Sequence, residues 1–145
     1  MDLVYAPEDI LKKTTISVYD DMDNVVKLAE QMHTLMVQNN GIGLAAPQVG
    51  VDKSFFIVGD KTRYKLAVNP KIIETSKEKV LMTEGCLSFP GIFLKVLRPL
   101  NVVVEYVNNK GETINEKLDG MMSRVFQHEA DHLNGITFDL SLIHI

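Results

Sequence analysis

The chain has 145 residues, 46% hydrophobic and 23% charged, an ordinary composition for one soluble globular domain spanning 1–145. Its formal net charge is -4 with the signs interspersed, so it lacks the basic stripe that neutralises a phosphate backbone, and nucleic acid is not expected as a direct substrate. No run approaches the ~18 apolar residues needed to cross a bilayer, and the start MDLVYAPEDILKK lacks a basic region followed by an apolar stretch; a cytoplasmic protein without membrane attachment is the expectation.

After an extended N-terminus, Val25, Leu28, Ala29, Met32, Leu35 and Met36 recur at spacings of three and four, the pattern of one apolar helical face. Asp20, Asp21 and Asp23 offer caps and favourable charge at its start, and Asn39-Asn40-Gly41 offers a stop. The segment GIGLAAPQVG is too rich in Gly, and too interrupted by Pro47, for regular structure and reads as a folded-back loop or short edge segment. Strands are expected over Ser54 to Val58, Tyr64 to Val68, Lys71 to Glu74, Val80 to Glu84 and Val102 to Val107. Asn108-Asn109-Lys110-Gly111 then forms a hairpin turn into Glu112 to Leu118. From Asp119 or Gly120 the period changes, and Met122, Val125, Phe126, Glu129 and Leu133 suit a second helix ending at Asn134-Gly135. A helix, many short strands and a helix make an α+β domain, with no repeat and no interdomain linker.

Within that second helix stands His128-Glu129-Ala130-Asp131-His132, an HExxH motif. Residues four apart share a helix face, so both imidazoles can converge on one metal while Glu129 points beside them toward bound water. The competing reading is a surface helix with two solvated histidines. Phe126 and Leu133 argue against it, because they place the motif on a partly buried helix where unpaired His side chains are costly. A hydrolytic metal takes three protein ligands and keeps a position for water. Downstream only Asp139 and His144 are available, and the wider peptidase patterns do not align with His144; upstream, Cys86 follows Gly85, which lets backbone approach a metal. Cys86, the only cysteine, cannot form an intrachain disulfide; it is a ligand, an inert core thiol or a nucleophile.

Three segments, Gly41-Ile42-Gly43-Leu44-Ala45-Ala46-Pro47-Gln48, Glu84-Gly85-Cys86-Leu87-Ser88 and Gln127 to Gly135, resemble in order the three signature motifs of peptide deformylases. Asn69-Pro70, Pro90 and Arg98 add to the likeness, which runs from about Pro7 to Gly135. The resemblance implies removal of the formyl group from the formylmethionine of nascent peptides, and antiparallel β-sheets around a central HExxH helix with a second, N-terminal helix. It implies Cys86, His128 and His132 as ligands of one divalent metal, iron(II) in the working enzyme with zinc or nickel able to replace it. Glu129 becomes the general base, with Gln48 and the Leu87 backbone N–H as the oxyanion site. Gly43 and Gly85 would take backbone hydrogen bonds with the substrate, and Ile42, Val125, Phe126 and His128 would border the methionine pocket.

Opposite charges near the cysteine suggest that Glu84 pairs with Arg98, with Asp131 reaching Arg98, Arg124 or solvent. The ending FDLSLIHI resembles the compact end of the family, without a basic C-terminal helix that docks on the ribosome, and a monomer with only transient ribosome proximity is expected. Phe93 stands where several bacterial relatives have Arg near the substrate path, which implies altered tolerance beyond formylmethionine. Two other readings stay open on the residues: a zinc endopeptidase using His128, Glu129 and His132 with a third ligand other than Cys86, and a noncatalytic metal or peptide binder. Glu129 and Gln48 argue against the binder, since holding a metal requires neither.

Overall fold

A computed structural model describes residues 1–137; Asp139 and His144 lie outside the described residues. Helix α1 spans Met22–Gln38 and buries Val25, Ala29, Met32 and Met36, as its apolar periodicity predicts. Its start differs from expectation. Asp21 is the N-cap residue but makes no side-chain capping bond; it pairs instead with Lys53. The helix ends as expected, with Asn40 in the left-handed region at φ 58° and the Gly41 amide donating to the Met36 carbonyl at 2.9 Å.

Seven strands follow: β1 Gly43–Ala45, β2 Phe55–Gly59, β3 Tyr64–Thr75, β4 Lys79–Cys86, β5 Phe89–Pro99, β6 Val102–Val107 and β7 Thr113–Leu118. Helix α2 closes the described chain at Gly120–Leu133. Strands β1, β2, β3, β6 and β7 form one antiparallel sheet in that order, while β4 and β5 form a separate antiparallel hairpin. The glycine-rich segment is thus an edge strand, followed by a short 3-10 turn over Ala46–Val49.

Two expectations need correcting. The strands expected over Tyr64 to Val68 and Lys71 to Glu74 are one strand, because Asn69 at φ 48° absorbs the Pro70 interruption as an irregularity instead of a break. Strand β5, rich in the breakers Pro90, Gly91 and Pro99, was not expected at all; its pairing with β4 supplies the missing stabilisation.

Strand β2 explains how the layers assemble. Its side chains alternate, so Phe55 and Ile57 join the core beneath α1, whereas Phe56 and Val58 join the core beneath α2. The sheet is therefore covered on both faces, which is why FFIV is continuously apolar and continuously buried. On the α2 side, Phe126 meets Phe56 edge-on with ring centroids 4.8 Å apart. One face of the HExxH helix is thereby fixed against the sheet. Its other face is left to the hairpin and the cleft.

Candidate metal centre and substrate cleft

Helix geometry divides α2 into two roles. Met121, His128 and Glu129 line a cleft, Phe126, Ala130 and Leu133 belong to the sheet core, and Val125 touches both. Successive helical residues point about 100° apart. Phe126, expected at the methionine pocket, accordingly turns away from it: it is 1% exposed and is not among the cleft-lining residues. Ile42, Gly43, Gly85, Cys86, Leu87 and Gln48 all line the cleft with Val125 and His128.

Cys86, at the end of β4, meets the helix from the opposite wall. Its Sγ lies 3.2 Å from His132 Nε2, and the ligand atoms of Cys86, His128 and His132 all lie within 4.8 Å of one another. A soft thiolate with two imidazoles is a donor set for a divalent transition metal, and three protein donors leave a coordination position for water. Two further observations fit such a group. His128 Nδ1 is engaged by Glu84 Oε1 at 2.8 Å, which presents the other ring nitrogen to the thiolate side. Glu129 Oε1 is buried with no hydrogen-bond partner among the described residues, an acceptor with nothing yet to accept.

The two imidazoles sit in opposite electrostatic settings. Burial opposes a charged His128, yet hydrogen bonds to Cys86 and Glu84 and the neighbouring Glu129 push its pKa up to about 10. Burial, with the charges of His128 and Arg98, pulls His132 down to about 3. Burial raises Glu129 to about 7, so this carboxyl is poised to exchange a proton near neutrality. Its carboxylate lies over Gly43: a Cβ there would come within 3.0 Å of Glu129 Cδ and collide with Oε2. Only glycine leaves the carboxylate this position.

Glu84 organises the wall behind the metal donors. Arg98 grips it with two bonds, Nε to Oε2 at 2.6 Å and Nη2 to Oε1 at 2.8 Å, and also bonds Asp131 Oδ2 at 2.8 Å. Arg124 bonds Glu84 Oε2 and the carbonyls of Val80 and Val96. Asp131 thus pairs with Arg98, and Arg124 with Glu84. Although burial alone pushes Glu84 up, Arg98 and His128 hold it at about 2, so it remains an anion behind the imidazole.

Gln48 is buried and held at both ends of its amide. Its Oε1 accepts from the Ala45 N–H at 2.9 Å, which aims Nε2 at Ser88 Oγ (3.2 Å) and Cys86 Sγ (3.4 Å). Ser88, without a triad in the sequence, is here a fully buried anchor for that amide. The cleft, about 610 Å³, also takes in Leu3 and Tyr5 of the N-terminal segment. The Val4 and Ala6 amides donate to the Gln48 and Ser88 carbonyls at 2.7 and 2.9 Å and strap that segment across both motifs. Nothing in the aperiodic N-terminal sequence signals this role.

Comparison with known proteins agrees with the geometry. The family described as polypeptide deformylase matches residues 1–142. A peptide deformylase of Thermotoga sp. (strain RQ2) is 42% identical over 129 residues, covering 89% of this chain and 79% of that protein. The crystal structure of peptide deformylase from Thermotoga maritima superposes with a TM-score of 0.95 at 37% identity, covering 99% of this chain and 97% of that one. A Met-Ala-Ser-bound structure of a class I type b peptide deformylase from Acinetobacter baumannii gives a TM-score of 0.92 at 35% identity, covering 98% of each chain. With the Cys86, His128 and His132 donors gathered in that same fold, this chain belongs to the peptide deformylase family.

Proposed function

We propose that the chain hydrolyses the amide between a formyl group and the N-terminal methionine of a peptide, releasing formate and a free amine. The observation that carries this reading is Glu129: a buried carboxyl with an unpartnered oxygen, titrating near neutrality, beside three metal donors and on the wall of an accessible cleft. Cys86, His128 and His132 would hold the metal, which when bound supplies the Lewis acidity that lets water lose a proton near neutral pH. Glu129 takes that proton and returns it to the departing amine. Gln48 Nε2, aimed by Ala45 and Ser88, and the Leu87 N–H donate to the oxygen on which negative charge develops. Gly43 and Gly85 offer bare backbone to the peptide, and Ile42, Val125 and His128 border the methionine side chain.

The Met-Ala-Ser complex of the Acinetobacter baumannii relative supports a peptide of this kind as the ligand. Clustering of Cys86 with the two histidines is the feature that an endopeptidase reading does not use. Iron(II) as the working metal, with zinc or nickel replacing it, rests on a mixed thiolate and imidazole set that suits all three. We read the protein as a cytoplasmic monomer that meets formylmethionyl nascent peptides transiently near the ribosome, which light scattering and ribosome co-sedimentation would check. The primary test is formate release from formyl-Met-Ala-Ser by anaerobically prepared iron(II) protein, with Glu129→Ala as its pair. Release abolished by that substitution supports the reading; no release from folded, metal-loaded protein overturns it.

A further inference from the structure

The N-terminal segment makes the same kind of bond to two motifs at once. The Val4 amide donates to the Gln48 carbonyl at 2.7 Å and the Ala6 amide to the Ser88 carbonyl at 2.9 Å. Leu3 and Tyr5, which alternate with them, both line the cleft. This period of two is that of an extended chain, whose alternate amides leave from one edge about 7 Å apart. Side chains complete the arrangement from the other side, since Gln48 Nε2 donates to Ser88 Oγ at 3.2 Å. Val4, Ala6, Ser88 and Gln48 therefore form a closed circuit of hydrogen bonds. Neither Gln48 nor Ser88 can shift on its own without breaking a member of it.

The circuit is firmly seated. Gln48 and Ser88 are buried at its inner end, and Leu3 packs against the core beneath α1. Further along, the Thr15 amide and hydroxyl both donate to the Leu133 carbonyl, at 2.8 and 2.9 Å, one residue past His132. One N-terminal segment thus holds backbone in all three motif-bearing stretches. Ala45 sets the rotation of the Gln48 amide, but it lies on the same short stretch, three residues away. So local a bond does not fix where that stretch stands relative to Cys86 and Leu87.

Resting on the deformylase reading, we propose that the N-terminal segment is a positioning element for the reaction: Val4 and Ala6, bonded to the backbones of Gln48 and Ser88, hold the Gln48 amide at the distance from Cys86 and Leu87 at which it meets the developing oxyanion. Both are positioning residues, acting through Gln48 and Ser88 and not by touching substrate. Donors fixed before the reaction lower its barrier only where their spacing matches the charge that forms, and a displacement of about 1 Å can cost about 10²-fold.

The test is a double-mutant cycle in kcat for formyl-Met-Ala-Ser on the iron(II) protein. Val4→Pro deletes the first amide donor and Ser88→Ala the hydroxyl, and each is combined with Gln48→Ala. Each single substitution is expected to lower kcat roughly 10- to 10²-fold, with KM and metal content near the parent's. On the Gln48→Ala background each should cost much less, because the group being positioned is gone. Val4→Ala keeps the amide donor and is expected to retain most of kcat. Where Val4→Pro does not fold, an α-hydroxy acid in place of Val4 removes the same N–H without fixing φ and enters the same cycle. A parent-like kcat after loss of the Val4 donor, or an equal loss with and without Gln48, overturns the positioning role while the activity stands. Absence of formate release from the metal-loaded parent overturns the deformylase reading and the role with it.

Discussion

Gln48 shows how much one amide depends on its own neighbours. Because Ala45 fixes its oxygen, its Nε2 cannot turn away from the thiolate side of the cleft. Gln48→Ala is therefore expected to lower kcat about 10²- to 10³-fold while metal content, measured by atomic absorption, stays at one per chain. Undiminished kcat would remove Gln48 from the oxyanion site. The convergence of His128, Glu129 and His132 was legible from spacing, since a helix converts four residues of separation into one face, whereas Cys86, on β4, was singled out as a ligand by family resemblance and is brought to them by the fold. Phe126 was misread for the same geometric reason. It neighbours Val125 in sequence, but at about 100° per residue it lies on the side of the helix that meets the sheet, and periodicity does not say which side that is.

Among the elements, the hairpin and α2 are joined by ions more than by apolar contact. Arg98 on β5 answers Glu84 on β4 and Asp131 on α2 at once, and it is buried. Arg98→Met leaves Glu84 without its bidentate partner, and a loss of about 3–5 kcal/mol in urea unfolding is expected. Gly135, just past the end of α2, has φ 71°, and a Cβ there would meet the Lys12 backbone. Gly135→Ala should cost at least ~1–2 kcal/mol; a neutral result would show that this junction can relax. Element ends such as Asn39-Asn40-Gly41 and Asn134-Gly135 were legible because turn chemistry is local. Strand β5 was not, because what sustains Pro90 and Gly91 in a strand is a partner that sequence patterning does not show.

At the scale of the whole molecule, the sheet's stability should depend on pH at the alkaline end. Burial and a hydrogen bond to Glu116 raise Tyr106 above its ordinary value of 10.0, so the folded state keeps its proton after the unfolded chain has lost it. The resulting stability is complete below about pH 10 and is lost as pH rises through the folded value. Tyr106→Phe should flatten the decline of urea-unfolding free energy above pH 10; an unchanged slope would assign that decline to other groups. The metal should act on the whole fold as well, since the residues proposed to hold it, Cys86, His128 and His132, are drawn from both β4 and α2. At ~100 times its Kd it would add about 2.7 kcal/mol, read as a melting temperature that rises with metal concentration. The α+β class followed from the order of elements, but double coverage of the sheet emerged only from the alternation within β2 once its neighbours were known. A last consequence concerns the solitary thiol. Because Cys86 is the chain's only cysteine and lines the cleft, an alkylating reagent has one thiol to react with, and under the proposed function it competes there with the metal. The labelled fraction, weighed by intact-protein mass spectrometry, is thus a direct gauge of how many molecules in a preparation carry no metal.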